Sequence, residues 1–179
     1  MSKKRIGIYG GSFDPPHHGH IHCAVALKER ESLDEVWVIP CHKHPTKSEN
    51  APMKDRVMMT QLAFENIPGC VVLDVEDSSP SFTVETLEKL MQQNEEFREA
   101  ERFLLLGSDL AEEIFSWKKY EVIEQLVRPL VLSRSERDDC MLSSTLVRSW
   151  ISRNVYVEHL LPRKVLEYIR THALYRKRK

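Results

Sequence analysis

Five short apolar runs, each followed by a stretch with helical spacing, set the main constraint on how this chain folds. The runs are "RIGIYG" (5–10), "EVWVIPC" (35–41), "CVVLDVE" (70–76), "RFLLLGSD" (102–109) and "RPLVLSR" (128–134). Each is about the length of a buried strand, and most end at a glycine, proline or polar residue that stops a strand. Between them, 18–31, 53–67, 81–94 and 110–126 carry helical patterns, the last with a break near Trp117, and 144–154 and 162–175 close the chain as helices. A Ser or Thr cap is expected at the start of the 81–94 helix. Strands and helices in alternation imply βαβ units. The expected fold is therefore α/β, a doubly wound parallel sheet covered on both faces, with a small C-terminal helical part at about 143–175. No repeat, low-complexity segment or linker divides residues 1–179, so a single domain is expected.

Composition narrows the function classes. The chain has 179 residues, 41% hydrophobic and 30% charged, with a formal net charge of -1, so nothing suggests a nucleic-acid coat or an electrostatic grip on membranes. The terminal "YRKRK" (175–179) reads as a solvated, frayed end. The four cysteines, Cys23, Cys41, Cys70 and Cys140, show no CxxC spacing, and no apolar secretion segment opens the chain. Reduced thiols and a cytoplasmic location are the expectation. No apolar run nears the roughly 20 residues that span a bilayer.

In a parallel sheet, ligands gather at the carboxyl ends of the strands. The chemistry-bearing residues fall there: Gly10 to Asp14, Pro40 to Lys47, Gly107 to Asp109, and Arg134. After the first strand comes "GGSFDPPHHGHIHC", with His17, His18, His20, His22 and Cys23 inside seven positions. One reading is a metal cluster, since His18 and His22 share i, i+4 spacing. Zinc needs at least a third protein ligand, and no partner pair with ligand spacing occurs elsewhere. The other reading is an anion turn. Backbone N–H groups at a helix start attract phosphate, and imidazoles in the first helical turn add donors. The pattern is neither GxxxxGK[ST] nor GxGxxG.

"GGSFDPPHHGH" resembles the glycine turn and HxGH signature of the nucleotidyltransferase superfamily, with His17 and His20 as its histidines. A second signature near the carboxyl end, SSTxxR, is matched by "LSSTLVR" (142–148). Within the superfamily the chain is most similar to the bacterial nicotinate mononucleotide adenylyltransferases. "WVIPCHKHPTK" with "DRVMM", "SPSFTVETLEKL", "FLLLGSDLAEEIFSWKKY" and "EHLLPRKVLEYIRTHALY" each resemble that family's segments, and together cover nearly the whole chain. The chain has Thr46-Lys47 where the family has His-Lys, and Phe82 where it has Tyr.

What the resemblance implies is adenylyl transfer from ATP to nicotinate mononucleotide in NAD biosynthesis. Mg²⁺ is implied as a cofactor bound through the ATP phosphates, with no metal site on the protein. The implied catalytic residues are His17, His20 and Arg148. On the ATP side it implies Gly10, Gly11, Ser12, Gly19, Gly107, Asp109, Arg134, Ser143, Ser144 and Thr145. On the acceptor side it implies Phe13, Lys47, Thr83, Trp117 and Tyr120. Several have a plain structural reading beside the functional one: Phe13 and Trp117 as core aromatics, Thr83 and Asp109 as helix caps, Lys47 as a solvated loop lysine. Arg56 reads as a helix-surface arginine paired with a carboxylate. The implied partners are small-molecule substrates, with neither nucleic acid nor membrane; a homo-oligomer is left open. The rivals are another acceptor (nicotinamide mononucleotide, phosphopantetheine or FMN), and a nucleotide- or metal-binding module without catalysis.

Overall fold

The structure, a computed structural model, describes residues 3–43, 50–76, 82–107, 110–132 and 142–176. Five parallel strands form one sheet in the order β3-β2-β1-β4-β5: β1 (Arg5–Gly11), β2 (Glu35–Pro40), β3 (Cys70–Val72), β4 (Glu101–Gly107) and β5 (Arg128–Leu132). The helices are α1 (His18–Arg30), α2 (Met53–Phe64), α3 (Thr83–Gln93), α4 (Glu95–Glu99), α5 (Tyr120–Leu126), α6 (Ser144–Ser152) and α7 (Arg163–Thr171).

Strand periodicity sorts the core onto two faces. Tyr9, Val36, Val38, Phe103 and Leu105 pack against α1, α2, α6 and α7 through Ala24, Leu27, Met59, Val147 and Val165. Ile6, Ile8, Trp37, Ile39, Leu104 and Leu106 pack on the other face against α3, α4 and α5 through Leu87, Phe97 and Ile123. The doubly wound parallel sheet is thus observed, with α6 and α7 added to the first face.

Two local expectations are corrected and one is met. β3 ends at Val72 rather than 76; Leu73 still donates its N–H to Val38 O at 2.9 Å, but the edge position offers no second neighbour to extend the ladder. The segment after β4 is interrupted at Trp117 as foreseen: a 3₁₀ turn spans Glu113–Ser116, and Lys119, at φ +53°, reverses the chain into α5. α3 begins with Phe82 in the N-cap position and no side-chain cap, so Thr83 is the first helical residue and not the cap.

The switch point of the sheet lies between β1 and β4, and there the two strands separate. Their pairing stops at Ile8 opposite Leu104. Beyond it, β1 stays on β2 as far as Gly11 opposite Pro40, and β4 stays on β5 as far as Gly107 opposite Leu132. The carboxyl half of the sheet therefore splits into a crevice, where a doubly wound fold holds its ligand.

Candidate active site

One cavity of about 960 Å³ fills this crevice. Gly10, Gly11, Ser12, Phe13 and Gly107 line it from the strand ends; His17, Gly19 and His20 line it from α1. Ser143, Ser144, Thr145 and Arg148 line it from α6, and Thr83 and Trp117 from the far side. Tyr120 does not line it; its ring packs edge-on to Phe115 at 5.1 Å. Lys47, Asp109 and Arg134 lie outside the described residues.

The β1–α1 connection departs from the expected glycine turn. Gly10 and Gly11 are still extended strand, paired with Ile39 and Pro40. The left-handed residue is Phe13, at φ +47°, a conformation that a bulky side chain adopts only when its surroundings hold it there. Those surroundings are aromatic: the buried Phe13 ring meets Tyr9 at 5.6 Å, His20 at 5.1 Å and Phe64 at 6.4 Å, all near edge-to-face for the Tyr9 and Phe64 pairs and at 68° for His20. Gly11 is needed for close approach, because a Cβ there would stand 3.2 Å from the Phe13 ring. At Gly10 a Cβ would meet nothing within 4 Å, so the missing side chain leaves open space at the cavity wall. Phe13 thus supports the site from beneath as a core aromatic.

α1 starts on histidines rather than the usual Ser…Glu pair. His17 is the N-cap, and its backbone N–H donates to His20 Nδ1 at 3.1 Å. The two rings stack at 3.7 Å between centroids. Because Nδ1 of His20 accepts, the neutral ring carries its proton on Nε2, which makes that nitrogen a donor. Gly19 permits the stack: a Cβ there would stand 3.1 Å from His17 Nδ1. The first-turn amide of His18 donates to Leu160 O at 3.1 Å, so that N–H is engaged within the fold rather than on a ligand.

α6 approaches from the other side. Ser143 caps it, accepting from Leu146 N at 3.2 Å, and Ser144 Oγ donates to Pro15 O at 2.9 Å. Arg148 Nη1 donates to Asp14 O at 2.6 Å, and its Nη2 to Thr145 Oγ1 at 3.1 Å. The two helix starts are therefore tied to one another through the 14–15 turn.

Two residues given no role from sequence organise these loops. Arg56 is buried, not on the helix surface, and among the described residues its partners are carbonyls. Nη1 donates to Ser12 O at 2.9 Å and Cys41 O at 2.7 Å, Nη2 to His42 O at 2.6 Å, and Nε to Ala51 O at 3.2 Å. One guanidinium thus joins the loops that follow β1 and β2. The signal was present: Arg56, Met59, Thr60 and Ala63 fall at i, i+3, i+4 and i+7, the buried stripe of α2. Asp14, 3% exposed, accepts from Asn50 N at 2.7 Å, Ala51 N at 3.2 Å and Tyr175 Oη at 2.7 Å. The "YRKRK" end is accordingly not frayed at Tyr175, and no sequence signal tied that residue to the turn.

Among the described residues no group of three or more His, Cys, Asp or Glu side chains is placed to hold a metal ion. Among them, no helix is long and apolar enough to cross a membrane.

Two helix starts meet over one crevice at the switch point of a parallel sheet, and the model of the cytidylyltransferase-like family, a family of nucleotidyltransferases, matches residues 8–161. A probable nicotinate-nucleotide adenylyltransferase of Bacillus pumilus (strain SAFR-032) is 33% identical, over 96% of this chain and 98% of that protein. One of the same name from Leifsonia xyli subsp. xyli (strain CTCB07) is 34% identical, over 98% and 96%. The chain belongs to the cytidylyltransferase-like family and, within it, to the nicotinate-nucleotide adenylyltransferases. The fold is shared with the Plasmodium falciparum nicotinic acid mononucleotide adenylyltransferase complexed with NaAD, at a TM-score of 0.77 and 20% identity over 96% of this chain and 97% of that one.

Proposed function

We propose that this enzyme transfers the adenylyl group of ATP to nicotinate mononucleotide, releasing pyrophosphate and forming nicotinate adenine dinucleotide. The observation that carries the reading is that one cavity is lined jointly by His17, Gly19 and His20 at the start of α1 and by Ser144, Thr145 and Arg148 of α6. The acceptor's phosphate oxygen attacks the α-phosphorus of ATP in line. A P–O bond forms there as the bond to the bridging oxygen of pyrophosphate breaks, and no covalent enzyme intermediate is formed. Both reactants are anions, so the protein's work is positioning and charge stabilisation.

The Nε2–H of His20 donates to the α-phosphoryl oxygens, where charge builds. His17 holds the His20 ring by stacking and contacts the triphosphate. The Ser144 and Thr145 end of α6, with Arg148, holds the departing β,γ-phosphates. Gly10, Gly11, Ser12 and Gly107 give the nucleotide backbone-lined space. Thr83 and Trp117 hold the pyridine ring and its carboxylate, the ring by stacking. Lys47, Asp109 and Arg134 keep the roles the resemblance assigns: acceptor phosphate or pyrophosphate, adenylate ribose, and adenine or phosphates.

A divalent ion, Mg²⁺ in this reading, would come bound to the triphosphate and would supply charge neutralisation there. This suits a site in which, among the described residues, the buried carboxylate of Asp14 is already engaged by Asn50, Ala51 and Tyr175. A cytoplasmic location fits an enzyme that uses ATP.

The test is a pyrophosphate-release assay offering ATP and Mg²⁺ with nicotinate mononucleotide, nicotinamide mononucleotide, phosphopantetheine or FMN. Fastest initial rates with the acid pyridine nucleotide are expected; faster turnover of any other acceptor, or none at all, overturns the reading. In the same assay Gly19→Ala is expected to lower kcat about tenfold, because its methyl displaces the His17 ring by a few tenths of an ångström and with it the stacked His20. The melting temperature serves as control, and unchanged kcat would show that the ring stack is not what places His20.

A further inference from the structure

Asp14 places a buried negative charge beside Arg148, the one arginine that α6 presents to the cavity. An arginine next to a buried carboxylate ordinarily closes onto it as a forked ion pair. Here it does not. The nearest approach, Arg148 Nη1 to Asp14 Oδ2, is 3.8 Å, beyond hydrogen-bond reach, and Nη1 rests instead on the Asp14 main-chain oxygen at 2.6 Å. Other donors already occupy the carboxylate. Oδ2 accepts from Asn50 N at 2.7 Å. Oδ1 accepts from Ala51 N at 3.2 Å and from the hydroxyl of Tyr175 at 2.7 Å.

The tyrosine comes from the far end of the chain, 161 residues on. α7 is pinned to α2 by Tyr168 Oη, which donates to Asp55 Oδ1 at 2.8 Å. α7 then ends in a left-handed reversal: Ala173 has φ +51° and Leu174 N–H donates back to Ile169 O at 3.0 Å. That reversal returns Tyr175 toward the β1–α1 turn. Burial, and next the charge of Asp14, raise the Tyr175 hydroxyl well above its ordinary value, so it stays a donor at any assay pH.

We propose that Tyr175 is a positioning residue for ATP binding: by satisfying Asp14 Oδ1 it keeps Arg148 from closing onto the carboxylate and leaves the guanidinium for the triphosphate. The proposal rests on the adenylyl-transfer reading for the identity of the ligand. Without the hydroxyl, a buried carboxylate oxygen lacks a strong donor. Arg148 is a neighbouring cation, its Nη1 already 3.8 Å from the carboxylate, and a fork closed on Asp14 has fewer N–H groups left for the triphosphate.

Calorimetric titration with ATP and Mg²⁺, and separately with nicotinate mononucleotide, tests this on the wild-type chain, Tyr175→Phe, Arg148→Ala and the double variant. Tyr175→Phe is expected to weaken ATP binding about tenfold, the size of one charge-assisted contact, and to leave acceptor binding within about twofold. In the Arg148→Ala background the same change is expected to alter ATP affinity by less than about twofold, because its effect runs through Arg148. A merely structural role would weaken both ligands and act equally in both backgrounds, and either result overturns the proposal. A wild-type chain that binds no ATP overturns the functional reading and this proposal with it, a result distinct from intact wild-type binding with an unaffected Tyr175→Phe. The Arg148 side-chain N–H resonance, assigned by its loss in Arg148→Ala, gives a second readout without ligand: it is expected to shift in Tyr175→Phe, and an unmoved resonance in the folded variant also overturns the proposal.

Discussion

Replacing His20 by alanine is expected to lower kcat by about 10²–10³-fold, the usual effect of removing one preorganised donor from a site of developing charge. Nucleotide KM values are expected to stay within about threefold, because the Nε2–H bond strengthens only as the α-phosphoryl charge builds. The geometry makes the assignment specific. His17 N–H fixes His20 Nδ1 as an acceptor, and Phe13 and His17 hold the ring from two sides. The donor is thus oriented before substrate arrives. Steady-state rates of pyrophosphate release measure the effect. Near-normal turnover would remove His20 from the mechanism, and a large KM rise with kcat intact would make it a ground-state binding group.

The second large effect is on stability. Arg56→Ala is expected to destabilise the fold by about 3–5 kcal/mol, because it strands four carbonyls and empties a buried site. For a chain of this size the melting temperature falls by about 10 °C. Arg56→Lys is expected to recover little of this, since an ammonium cannot reach Ser12, Cys41, His42 and Ala51 with a planar fork. Turnover falls as well, because the loops after β1 and β2 lose their common tie. Urea or thermal unfolding measures the loss, and a drop under about 1 kcal/mol would show that water replaces the guanidinium at little cost.

Legibility differed with the distance over which each feature acts. Strand alternation and helix spacing are local, so the five strands and most helix bounds were readable within a few residues. The HxGH and SSTxxR segments were readable as two helix starts, because a cap and its first turn are set by neighbours in sequence. Gly10 and Gly11 misled: the glycines suggested the turn, but the left-handed conformation went to Phe13, whose cost is met by Tyr9, His20 and Phe64 around it. Arg56 misled in the opposite sense, as charge suggested surface while its position on the apolar stripe of α2 meant burial.

By itself the sequence determined a parallel α/β sheet, its sites at the strand carboxyl ends and the residue types able to hold a nucleotide, since periodicity and capping operate over a few residues. Only the tertiary structure decided that β1 and β4 part beyond Ile8 and Leu104 to open the cavity, and that Asp14 gathers Asn50, Ala51, Arg148 and Tyr175 at one point. Those contacts join residues up to 161 positions apart, and their placement depends on how helices pack across the sheet, which no local pattern encodes.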